Sequence, residues 1–109
     1  MSFSVPQEAF DAMIQRFVPD AAEGVDAVFQ WEVVGDGGGK WHIVVKDKKA
    51  ELFQGKHASP GVAQLCSTDT FLGLVNYEIN GMQAFMSGKL KVTGDLMLAQ
   101  KIMEIFPLD

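Results

Sequence analysis

Apolar residues in this chain recur first every three to four positions, then every two, then every three to four again. Phe10, Met13, Ile14 and Phe17 follow the i, i+3, i+4, i+7 stripe of a half-buried helix. Ser4 and Gln7 stand at capping-box spacing before it, Pro6 suits its first turn, and Pro19 ends it. Residues 20–24 read as a short linker. The period then drops to two. In "VDAVFQWEVV", Phe29, Trp31 and Val33 alternate with Gln30 and Glu32, which predicts a strand with one buried and one wetter face. "GDGGG" over residues 35–39 tolerates positive φ and closes a hairpin onto "KWHIVV", where Trp41, Ile43 and Val45 repeat the alternation. "KDKK" is a charged turn, "AELF" a short third strand, "QGKHASPG" a loop and "VAQLC" a fourth strand.

Helical spacing returns at "STDTFLGLVN". Ser67, Thr68 or Asp69 caps it, and Phe71, Leu72, Leu74 and Val75 form its apolar side. A short helix over residues 81–86 ends at Gly88. "KLKVT" is a fifth strand, with Leu90 and Val92 on one face and Lys89 and Lys91 on the other. Gly94 and Asp95 make a turn and N-cap, and a final helix runs to Phe106. Grouped strands with helices before and after predict an α+β fold with a mostly antiparallel five-stranded sheet. No repeat or linker divides the chain, so residues 1–109 are expected to form one domain.

The final helix carries more apolar surface than a sheet-covering helix needs. Leu96, Leu98, Ala99, Ile102, Met103, Ile105 and Phe106 spread over about half its circumference, against a stripe of a little over ~100° for ordinary amphipathic packing. It is therefore expected to meet two apolar surfaces. One is the sheet; the other is a neighbouring helix, a partner chain or a ligand. Met86, Met97 and Met103 gather in the same region, out of six methionines in all. Methionine fills irregular gaps and lines surfaces that accept several partners. On composition alone ordinary core is the simpler reading of these stripes.

Charge narrows the function. The net charge of -5 argues against nucleic acid, whose phosphates need a basic face, and against lasting attachment to an anionic bilayer. No apolar run approaches the roughly 20 residues of a spanning helix. "MSFSVPQEAF" has neither the basic start nor the apolar core of a secretory signal, and "FPLD" matches neither a peroxisomal nor an ER-retention tail. The lone Cys66 allows no internal disulfide and fits a reducing cytoplasm.

The stretch "DTFLGLVNYEINGMQAFMSGKLKVTGDLMLAQKI" closely resembles the signature region of the sterol carrier protein type-two domain. The match runs through Asp69, Phe71 and Leu72, then Asn80, Ala84 and Phe85, then the Gly88-Lys89-Leu90-Lys91 run, and on to Gly94, Asp95, Leu98, Ala99 and Lys101. "DAVFQWEVVGDGGGKWHIVVKD" is similar to the first hairpin of the small stand-alone prokaryotic members, so the resemblance spans nearly the whole chain. It implies a five-stranded sheet covered on one face by helices, with an apolar tunnel between them. It implies a lipid ligand (fatty acid, fatty acyl-CoA, sterol or phospholipid), bound or carried without chemistry and without a cofactor.

Under that resemblance the cavity-lining candidates are Phe71, Leu74, Val75, Met82, Phe85, Met86, Leu98, Ile102, Met103 and Phe106 from the helices, with Trp31 and Ile43 from the sheet. Burying a 16-carbon chain at about 0.8 kcal/mol per CH₂ offers on the order of 10 kcal/mol before the costs of binding. Tyr77 stands where many members have glycine. A ring there either narrows the tunnel mouth or lies on the surface. The chain lacks the peroxisomal tail of the eukaryotic carriers, so that location is not carried over.

Two rivals stay open. In one, the wide apolar helix buries against a second subunit and no lipid is held. In the other, a small hydrolase works on the same lipids, which needs a nucleophile and a base within reach. Cys66 has no motif relation to His42 or His57, and a small buried strand cysteine is the simpler expectation. Two histidines fifteen positions apart match no metal-ligand spacing, no G-x-S-x-G occurs, and "GDGGGK" joins two strands instead of opening a helix. The basic clusters Lys46, Lys48, Lys49 and Lys89, Lys91 could meet an acyl-CoA phosphate or a lipid headgroup, but a solvated turn and a protected edge strand are the simpler expectation. A monomer or homodimer with at most transient membrane contact is expected.

Overall fold

The structure, a computed structural model, describes residues 2–108. Helix α1 (Pro6–Gln15) comes first, followed by a 3₁₀ turn at Pro19–Ala22. Strands β1 (Ala27–Val34), β2 (Gly39–Lys46), β3 (Lys49–Gln54) and β4 (Val62–Ser67) follow, then helices α2 (Thr68–Val75) and α3 (Gly81–Met86), strand β5 (Leu90–Gly94) and helix α4 (Leu96–Ile105). The sheet order is β3-β2-β1-β4-β5. The pairings are antiparallel except for β1 with β4, which run parallel. The sheet is thus mixed as well as mostly antiparallel.

That one parallel pairing explains a departure from the sequence pattern. To leave β3 at one edge and pair with β1 on its far side, the chain must cross the sheet. Residues 55–61 do so over the outer face. Gln30 and His42 point outward, as the alternation predicts, yet they are buried under this crossing. The Gln30 Oε1 accepts from the His57 amide at 2.8 Å, and His42 Nδ1 bonds the Gly55 carbonyl at 2.8 Å. The wetter face is therefore polar but dry at its centre, with its polar groups paired as burial demands.

The inner face carries the helices. At one end Phe10 of α1 stacks on Trp41 and Phe71 and meets Trp31 edge-on, with ring centroids at 4.6, 5.0 and 5.3 Å. At the other end Phe106 packs against Phe29 and Phe17. Such pairs add about 0.5–1.5 kcal/mol each beyond their area. They tie α1, α2 and the end of α4 to β1 and β2.

The cap of α1 differs from the expected one. Val5 is the N-cap, and Glu8 does the capping, accepting from the Ser4 and Val5 amides at 2.8 and 3.2 Å. Gln7 instead accepts from the Trp41 indole N–H at 3.0 Å, tying α1 to β2. Among the expected caps of α2 it is Ser67 whose hydroxyl accepts from the Thr70 amide, and Asp95 caps α4 through the Met97 amide. Helix α1 ends at Gln15, before Pro19. The β5–α4 corner requires Gly94: its φ is +94°, and a Cβ there would run into the Gly61 carbonyl oxygen.

Candidate functional site

Between β4 and β5 on one side and α2, α3 and α4 on the other lies a cavity of about 560 Å³. That is within the roughly 300–1,000 Å³ of small-molecule sites. Each wall follows from local sequence. The inward residues of the sheet supply Trp31, Gln64, Leu90 and Val92. The apolar stripe of α2 supplies Phe71, Leu74 and Val75, and the wide face of α4 supplies Leu96, Ala99, Ile102 and Met103. Met82 and Phe85 come from α3, Ile79 from the connection before it, and Met13 reaches in from α1.

Tyr77, Met82, Phe85, Leu96 and Met103 line the cavity and are also exposed, so the cavity opens to solvent between α3 and α4. Met86 and Met97, next along the chain, are exposed as well and widen this apolar rim. Among the described residues no formally charged side chain lines the cavity. Asn80 and Gln100 sit at the mouth on exposed positions, and the Asn80 carboxamide is engaged in capping α3. Gln64 alone puts a polar side chain on the sheet side.

Of the twelve residues singled out from the sequence, the structure brings Trp31, Phe71, Leu74, Val75, Met82, Phe85, Ile102 and Met103 together around this cavity. The other four lie elsewhere. Ile43 is on the inner face but one strand too far, fully buried beneath the helices between β1 and β3. Phe106 is sealed in the aromatic group with Phe29 and Phe17. Leu98 packs against Gly61 at the start of β4. Met86, at the end of α3, is 78% exposed and lies outside the cavity.

Met13, Gln64, Ile79, Leu90, Val92, Leu96 and Ala99 also line the cavity, beyond the candidates the sequence pointed to. For Gln64 a signal existed: in "VAQLC" it falls in step with Val62 and Cys66, two residues from each, which places a polar group on the buried face. Helix stripes alone could not separate Met103, which lines the cavity, from Phe106, which fills the core.

Tyr77 lines the mouth and is about half exposed. Its φ of +60° is a left-handed conformation that bulky residues rarely adopt and glycine adopts freely. Its hydroxyl accepts from the Leu108 amide at 3.3 Å. The ring thus both narrows the opening and ties the C-terminal residues to the α2–α3 connection.

The arrangement offers little to a nucleophile. Burial pushes the Cys66 thiol from 9.0 up to about 11, the opposite of activation. His42 and His57 face each other on the outer side of the sheet, ring centroids 5.3 Å apart, and His57 Nδ1 is occupied by the Ser59 amide. Among the described residues no group of three or more His, Cys, Asp or Glu side chains is placed to hold a metal ion. No helix among the described residues is long and apolar enough to cross a membrane.

Comparisons with known proteins bear on the family and the fold. The hydroxysteroid dehydrogenase-like protein 2 of Bos taurus is 32% identical over 97 residues, covering 88% of this chain and 23% of the relative. The chain spans about a quarter or less of such relatives. Among solved structures, the sec-alkylsulfatase Pisa1 from Pseudomonas sp. matches with a TM-score of 0.81 at 18% identity, over 94% of this chain and 16% of that one. Palmitated SCP2L2 from Aedes aegypti matches with a TM-score of 0.71 at 24% identity, over 95% of this chain and 96% of that one. The family model described as the SCP-2 sterol transfer family matches residues 8–107, and the chain belongs to that family.

Proposed function

We propose that this protein binds and carries a lipid in the cavity between β4, β5 and helices α2–α4, and does no chemistry on it. Family membership supports lipid or sterol binding or transfer as the class of activity. The observation that carries the finer reading is the uncharged, apolar 560 Å³ cavity with a mouth of Met and Phe side chains. An alkyl chain or a sterol body suits such walls. A palmitated structure among the matched ones supports an acyl chain as a ligand. Fatty acids, fatty acyl-CoA thioesters, sterols and phospholipids all fall within the reading, since alkyl packing discriminates weakly between them. A charged headgroup stays in the mouth, because no lining side chain neutralises it inside. Within this reading the domain works in the cytoplasm, touches membranes transiently and needs no cofactor.

The exposed rim also favours a second reading, in which Met82, Phe85, Met86, Leu96, Met97 and Met103 bury against a second subunit. Native mass spectrometry separates the two. Delipidated protein mixed with palmitate or palmitoyl-CoA should show one ligand per chain. A clean dimer with no adduct would leave association as the role of the apolar surface.

A further inference from the structure

The sheet side of the cavity is apolar except at one position. A row of paired residues runs Trp41, Trp31, Gln64, Val92 across β2, β1, β4 and β5. Residues directly opposite on neighbouring strands share a face. Gln64, held between Trp31 and Val92, therefore stands on the cavity floor, and all three line it. Its carboxamide makes no hydrogen bond among the described residues. Beside it, Trp31 is 2% exposed, and its indole N–H has no acceptor among the described residues either. Among the described residues no buried side-chain nitrogen or oxygen is both sealed and unbonded. The indole N–H therefore opens onto free space, and the space Trp31 lines is this cavity.

Two unpaired donors and an acceptor side by side on an apolar floor are unfavourable unless something meets them. A charge does not suit the site, because no counter-charge lines the cavity. An uncharged oxygen does. A hydroxyl donates to the Gln64 Oε1 and accepts from the Gln64 amide or the Trp31 indole N–H. A carbonyl accepts from either donor.

We propose that Gln64, with the Trp31 indole N–H beside it, anchors an uncharged hydroxyl or carbonyl oxygen of the bound lipid and so determines specificity within the cavity. The proposal rests on the lipid-binding reading above. A fatty acid enters tail first, leaves its carboxylate at the mouth and gives Gln64 no partner. An alcohol enters with its oxygen inward.

The test measures binding of 1-hexadecanol and palmitate to the delipidated protein and to Gln64→Leu, by displacement of a fluorescent fatty acid. Losing the anchor should weaken hexadecanol roughly tenfold relative to palmitate. In the native chain, hexadecanol should move the Gln64 side-chain amide and Trp31 indole resonances downfield, and palmitate should not. These spectra decide the matter even if Gln64→Leu folds poorly. Equal loss for both ligands, no loss for either, or the same resonance shifts with both would overturn the anchor. Failure of the native chain to bind either ligand would instead remove the lipid-binding reading itself.

Discussion

Replacing Ala99 with phenylalanine projects a benzyl ring from α4 into the cavity that Ala99 lines. In a packed core such a change causes overpacking and costs about 1–3 kcal/mol. Here the ring has space to enter. Burying it contributes about 1.5–3 kcal/mol relative to leaving it exposed. The poorer helix propensity of phenylalanine takes back up to about 0.7 kcal/mol. The unliganded protein should therefore gain roughly 1–2 kcal/mol. For a chain of this size that raises Tm by about 4–8 °C.

The same ring occupies space that about four ligand methylenes would fill. At about 0.8 kcal/mol each, palmitate loses some 3 kcal/mol, or more than a hundredfold in Kd. The assays are thermal unfolding of delipidated protein and displacement of a fluorescent fatty acid. The opposite signs are the point: stability rises while affinity falls. An Ala99→Phe protein that binds palmitate as the native chain does, or that loses stability without ligand, would mean that the space beside Ala99 is not where the acyl chain lies.

Tyr77→Gly should relieve a left-handed strain of about 1–2 kcal/mol and lose the Leu108 contact, leaving stability within about 1 kcal/mol. It should speed ligand entry in stopped-flow measurements by widening the mouth, and a slower entry rate would count against the mouth assignment. Gly94→Ala should destabilise by 3 kcal/mol or more in chemical denaturation, because its φ is +94° and its Cβ meets the Gly61 carbonyl; a loss below 1 kcal/mol would contradict this. Cys66 should resist alkylation at pH 8 until the protein unfolds, since burial raises its thiol to about 11. Between pH 9 and 11 the unfolded thiol has lost its proton and the folded one has kept it. Stability should therefore fall as pH rises through that window, and Cys66→Ala should remove that contribution to the fall without changing palmitate affinity.

Much of the fold was legible because the period of the apolar residues changes with each element. Phe29, Trp31 and Val33 mark one face of β1, and Phe71, Leu74 and Val75 mark one side of α2, whatever lies opposite. The parallel pairing of β1 with β4 was not legible. It depends on where the chain goes after β3, and the loop that carries it is polar and aperiodic. The burial of Gln30 and His42 was hidden for the same reason. The cavity was legible only as a surplus. The width of the α4 stripe showed that two surfaces had to be met, but not which residue met which. Leu98 and Ala99 are adjacent, yet one packs on Gly61 and the other faces the cavity. The resemblance supplied the idea of a cavity, and the register across β1, β4 and β5 determines what stands on its floor.

The central claim is that a lipid sits in the cavity and not on the rim, and the methionines report on this directly. Met13, Met82 and Met103 line the cavity, whereas Met86 and Met97 are exposed outside it. The measurement is an NMR titration of methyl-labelled methionine protein with palmitate, recording contacts between ligand protons and methionine methyls. Palmitate in the cavity should give contacts at Met13, Met82 and Met103, saturating at one palmitate per chain, with Met86 and Met97 little changed. Contacts confined to Met86 and Met97, or none at Met13, would mean that the lipid lies on the surface and that the cavity is not its site.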